Sequence, residues 1–162
     1  MIMKIKYTCI GIIMLWMCIC VFSCRKNITA PNGVMQYALL DSVNALRSKG
    51  CNCDTTPMPP AVKLVWNNSL AQAAKAHATD MYTNNYFSHI APDGSSPIQR
   101  AEAAGFTGQY VGENIAEGYT TIASVMLAWK NSPDHCMTMM DTLYIEMGAY
   151  SYNGYWVEDF GR

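Results

Sequence analysis

The chain has 162 residues, with 11 Lys and Arg against 12 Asp and Glu and a formal net charge of -1. That length suits one domain with a real core. The charge balance, with no run of Lys or Arg after residue 26, excludes the basic patch that marks most nucleic-acid binders, and the lack of a repeat at fixed period excludes a solenoid.

Lys4 and Lys6 precede an apolar run from Tyr7 to Phe22, shorter than the roughly 20 residues a membrane-spanning helix needs. A positive start, an apolar middle and a small residue at the end describe an export signal. Its end, Val21-Phe22-Ser23-Cys24, resembles the lipobox of bacterial lipoproteins, which implies cleavage after Ser23 and lipid on Cys24. On this reading residues 1–23 are a lipoprotein signal peptide, 24–33 a short polar tether, and 34–162 the domain. The expected location is extracytoplasmic, with the membrane as partner through Cys24.

Val34 to Lys49 reads as a helix with Leu39, Val43 and Leu46 on one face and Gly50 as its stop. Asn44 and Arg47, three apart, read as part of its solvated face. Cys51-Asn52-Cys53 leads into a Pro-rich loop, Asp54 to Ala61. Export favours disulfides, and C-x-C is too tight for an easy mutual bridge. Counting thiols therefore pairs Cys136 with Cys53 or, alternatively, Cys51, closing a loop of roughly 80 residues worth ~3–5 kcal/mol. After the apolar lead-in Leu64-Val65-Trp66, Asn67 or Asn68 caps a second helix to about Asn84. Leu70, Ala73, Ala74, His77, Ala78 and Met81 form its apolar stripe, which makes His77 a core histidine. The small Ala residues allow close approach to another element.

Tyr86 to Arg100 places His89 on a loop clamped between helices. Pro92, Asp93 and Gly94 supply a turn, and Ser96 as cap with Pro97 in the first position starts a third helix to about Ala104, followed by Gly105. In Val111-Gly112-Glu113-Asn114-Ile115-Ala116, flanking Val and Ile put Glu113 on an interior segment. A carboxylate there must be paired, protonated, bound to a cation or bonded to backbone N–H groups. Thr120 or Thr121 caps a fourth helix through Asn131, with Ile122, Val125, Met126 and Trp129 as its apolar face. Ser132-Pro133-Asp134-His135 reads as a helix break and tight turn. Two strands, Ile145 to Tyr152 and Tyr155 to Phe160, flank the hairpin signal Asn153-Gly154. Helices first and strands last, without βαβ alternation, indicate α+β.

Four motifs stand in order: Asn85-Tyr86-Phe87-Ser88-His89, Gly112-Glu113-Asn114-Ile115, Ser132-Pro133-Asp134-His135 and Tyr155-Trp156-Val157-Glu158-Asp159-Phe160-Gly161. With Leu64-Val65-Trp66 and the Ala-rich helix around His77, they resemble the CAP superfamily, the cysteine-rich secretory, antigen 5 and pathogenesis-related group, in its secreted bacterial branch. The resemblance implies an α-β-α sandwich with a small central antiparallel sheet. It also implies a cleft in which His89, Glu113 and His135 hold a divalent cation such as zinc. A further acid expected three residues after Trp129 is Ser132 here, with Asp134 the nearest substitute, and Met137 to Met140 also departs from the family pattern. The family implies a non-enzymatic binding module, with apolar small molecules or lipids as ligands in some branches. The alternative is a metal-assisted, peptidase-like hydrolase with Glu113 as base and His135 as the second catalytic candidate.

Overall fold

The computed structural model describes residues 32–162, with side chains from Tyr37 onward, so Cys24 and the signal reading lie outside the described residues. The elements are α1 (Asn32–Lys49), β1 (Cys51–Cys53), β2 (Thr56–Met58), β3 (Val65–Trp66), α2 (Asn68–Asn84), α3 (Pro97–Ala103), β4 (Val111–Glu117), α4 (Ile122–Asn131), α5 (Pro133–Met140), β5 (Glu146–Tyr152) and β6 (Tyr155–Gly161).

The helix starts follow the capping residues. Asn67 accepts from the backbone N–H groups of Ser69 and Leu70, and Thr121 from that of Ser124. At α3 the Gln99 side chain accepts from the backbone N–H of Ser96, and Pro97 holds the first position. The β5–β6 hairpin turns at Asn153 and Gly154, both at positive φ, as the two-residue loop requires.

The main sheet runs β3-β5-β6-β4. β4, β5 and β6 are antiparallel, whereas β3, expected only as an apolar lead-in, joins β5 in parallel, so the sheet is mixed. Strand alternation divides its side chains between two helical layers. Ile115, Tyr155 and Val157 face Ala74, Ala78 and Met81 of α2. Ala116, Trp156 and Phe160 face α1 and α4 through Leu39, Val43, Val125 and Trp129. The chain is therefore an α-β-α sandwich. A Cβ on Gly148 of β5 would stand 2.0 Å from the backbone nitrogen of Ala71, so α2 lies directly on the strand, as its small residues allow.

Three local readings change. Asn44 and Arg47 are not on a solvated face. The Asn44 side chain donates to Leu64 O and accepts from Leu64 N. Arg47 is fully buried and donates to the carbonyls of Val62, Met139, Asp141 and Tyr144. The Pro-rich loop after Cys53 contains β2, which pairs with β1 to form a small hairpin. Ser132 to His135 is the start of α5 rather than a free turn, with Pro133 in its first turn. The disulfide joins Cys53 to Cys136, the favoured pairing, across 83 residues, and Cys51 is a free thiol.

Candidate functional site

β4 is the edge strand of the main sheet, and it organises the site because adjacent residues on a strand point to opposite faces. Glu113 points to the layer of α2 and α3, and Asn114 to the layer of α4 and α5. Each holds one of the two histidines expected in the cleft. Glu113 Oε1 lies 2.7 Å from His89 Nδ1. Asn114 Nδ2 donates to the backbone carbonyl of His135 at 3.0 Å. The Glu-Asn pair thus brings His89, from the loop before α3, and His135, from the first turn of α5, to the two sides of one strand.

The Glu113 side chain is 1% exposed and that of His89 is 49% exposed. The second carboxylate oxygen of Glu113 accepts from Arg100 Nη2 at 2.7 Å. Arg100 also donates to the carbonyls of His89 and Ser95, so it fixes the loop backbone and the carboxylate together. With Glu113 accepting on both oxygens, His89 Nδ1 is the donor and its Nε2 keeps a lone pair when the ring is neutral. Burial first, and then the positive charge His89 can carry, push His135 below its ordinary pKa. The two rings therefore sense one another across the site.

His77 is a core histidine, as its place in the α2 stripe indicated. Its Nε2 lies 2.9 Å from the carbonyl of Ser88, and burial, the leading cause, lowers its pKa. Tyr86 completes this cluster by donating to Asp80. Arg100, Glu158 and Asp159 were not recognised from the sequence as members of the site. Asp159 is paired opposite Glu113 across β4 and β6. Burial, followed by the charge of Glu113, raises its pKa well above the ordinary aspartate value.

Glu158 lies on the other face, where it accepts from Asn114 Nδ2 at 2.9 Å, and its second oxygen has no partner among the described residues. Burial pushes its pKa up to about 8, against the lowering effect of that hydrogen bond. The folded protein therefore holds a proton that the unfolded chain releases near pH 4.5, and stability attributable to this group falls as pH rises from there to about 8. Glu158→Gln removes the titration and keeps the acceptor for Asn114. The variant should gain on the parent by on the order of 1 kcal/mol per pH unit through that window. Urea titrations at several pH values measure the difference, and a difference independent of pH would contradict the assignment.

Beside His135 lies a cavity of about 320 Å³ lined by Phe87, Ile115, Tyr119, Trp129, Ser132 and His135, among others. Trp129 is fixed there by donating to the carbonyl of Ile115. Ser132, where the family pattern carries an acid, lies on this wall beside His135. Among the described residues, the group of three or more His, Cys, Asp or Glu donors lying within 4.8 Å of one another is Cys51, Cys53 and Cys136, two of which are already bonded together. The histidines and Glu113 form a more open arrangement.

A profile of the cysteine-rich secretory protein family, CAP, matches residues 40–160. The uncharacterized membrane protein YlbC of Bacillus subtilis is 30% identical over 122 residues, covering 75% of this chain and 33% of that protein. The chain thus spans about a third of this relative. A crystal structure of an extracellular SCP-domain protein from Bacillus anthracis superposes with a TM-score of 0.72 at 25% identity, covering 81% of this chain and 41% of the other. The structure of NaASP2 with Zn2+ shares the fold at a TM-score of 0.56 and 18% identity, covering 85% and 83% of the two chains.

Proposed function

The chain belongs to the cysteine-rich secretory protein (CAP) family, and from that premise we propose that it is an exported, lipid-anchored binding module, not an enzyme, whose cleft holds a divalent cation on His89 and His135. The observation that carries this reading is the Glu113–His89 hydrogen bond. A carboxylate on Nδ1 orients the ring and leaves Nε2 free to coordinate, which is how metal-bound histidines are commonly supported. His135 has a lowered pKa, so its neutral, coordinating form prevails at neutral pH.

Two imidazoles and an open face suit weak cation binding completed by water or a ligand. Both oxygens of Glu113 already accept hydrogen bonds, so its part in the expected set of His89, Glu113 and His135 is to hold His89 rather than to coordinate directly. The burial of Glu113, 1% exposed, weakens the hydrolase alternative, because a general base must reach the water it deprotonates. The apolar cavity beside His135 is proposed to receive an apolar small molecule or lipid group. The extracellular SCP-domain neighbour and the membrane-protein relative support an extracytoplasmic location, and the NaASP2 structure with Zn2+ supports the choice of cation.

Zinc calorimetry tests the site. His135→Ala should abolish measurable binding, and Glu113→Gln should weaken it about 10–100-fold. Unchanged affinity in His135→Ala refutes the assignment. For the anchor, Cys24→Ser should move the protein from the membrane fraction to the soluble one. A variant that remains membrane-bound with an unprocessed mass rejects lipidation at Cys24.

A further inference from the structure

β1 carries two cysteines at positions i and i+2, and a strand places such residues on one face. That face meets α5, where Cys136 is fully buried. Cys53 is bonded to Cys136, yet Cys51 Sγ lies only 3.7 Å from Cys136 Sγ and 4.0 Å from Cys53 Sγ. The Cα atoms of residues two apart on a strand stand about 6.6 Å from one another. The two side chains of β1 have therefore converged on the same sulfur. Cys53 is buried, whereas Cys51 is partly exposed and free.

We propose that Cys51, Cys53 and Cys136 form an intramolecular disulfide-exchange site in which Cys136 bonds alternately to Cys53 and to Cys51. The Cys51 thiolate attacks Cys136 Sγ, forming the Cys51–Cys136 bond. The Cys53–Cys136 bond breaks, and Cys53 leaves as a thiolate that takes up the proton given up by Cys51. No external oxidant or reductant is consumed, and the step is reversible.

Attack requires the three sulfurs to come into line. If Cys51 lay directly behind Cys136, its distance to Cys53 would exceed 3.7 Å by about 2 Å, one S–S bond length. The observed 4.0 Å is a side-on approach. Bringing the three sulfurs into line needs the side chain of Cys51 and the Cys53–Cys136 bridge to turn together, and Cys51, partly exposed, is the least confined of the three. Exchange shifts the anchor of α5 by two residues along β1. Because His135 precedes Cys136, the two bonded forms hold α5, and with it one wall of the cleft, in different seats.

The full chain, with Cys9, Cys18, Cys20 and Cys24 replaced by Ser so that no other thiol is present, is held at pH 8.5 without added thiol, quenched with acid, labelled with a maleimide and mapped without reduction. Fragmentation across Asn52 separates Cys51 from Cys53. The expected result is maleimide on both residues, in different molecules, with both linked forms of Cys136 recovered at a rate independent of protein concentration. Cys51→Ser should give the Cys53–Cys136 link alone. Label confined to Cys51 in the parent, or exchange whose rate rises with protein concentration, overturns the proposal.

Discussion

Replacing Glu113 by alanine lowers the stability of the domain by about 3–5 kcal/mol, because it leaves a buried cation without its counter-charge. The Arg100 side chain is 10% exposed and donates to Glu113 Oε2 at 2.7 Å. Its other bonds, to the carbonyls of His89 and Ser95, do not neutralise it. The loss also frees His89 Nδ1 and removes the charge that, after burial, raises the pKa of Asp159. Glu113→Gln costs less. Its amide oxygen still accepts from Arg100, and its NH2 can donate to His89 Nδ1 once that nitrogen gives up its proton. The proton then moves to Nε2, so this variant folds while presenting the wrong tautomer to a cation. Urea denaturation of Glu113→Ala, Arg100→Met and the double variant provides the test. The double variant should be more stable than the two single losses predict by at least about 1 kcal/mol. A Glu113→Ala variant within 1 kcal/mol of the parent would show that the buried pair is compensated elsewhere.

The sequence disclosed most of the helical frame because capping residues and apolar stripes are local. All six residues assigned to the α2 stripe are buried, and Asn153-Gly154 forms the hairpin turn. β4 was harder to read for a physical reason. An edge strand covered on both faces, with Glu113 and Asn114 both interior, shows no polar alternation. The start of α5 did have a readable signal. Ser132-Pro133 repeats the cap and first-turn proline of Ser96-Pro97. The same signature marks α3, but Ser132 ends α4 as well as starting α5, so the proline after it reads equally as a helix break. Arg100, the counter-charge of the cleft, has no local mark at all. Its role depends on Glu113, which reaches it only through the packing of α3 beside β4.

Arg47 is hidden in the sequence for the opposite reason, and its replacement carries the other large effect. It follows Val43 by four positions, so it falls on the buried side of α1 by the same periodicity that placed Val43 there. Charge argued for water, but distant loops supply a full set of acceptors instead. Its Nε donates to Val62 O at 2.8 Å, Nη1 to Met139 O and Asp141 O at 2.8 Å each, and Nη2 to Tyr144 O at 3.2 Å. Two of these carbonyls end α5 or directly follow it, where a helix leaves acceptors unpaired and a cation is favourable. Arg47 thus secures the far end of the helix whose first turn carries His135 and whose Cys136 carries the disulfide. Arg47→Met fills similar volume but strands several buried carbonyls, each costing about 1–3 kcal/mol if no water replaces the donor. A total loss of about 3–5 kcal/mol is expected. Arg47→Lys should recover only part of it, because an ammonium cannot match the planar fork. Chemical denaturation gives the stability, and hydrogen exchange shows where it is lost. Faster exchange should centre on α5 and the segment from Asp141 to Tyr144. A methionine variant as stable as the parent, with α5 equally protected, would mean that the helix is held by its disulfide and core contacts alone.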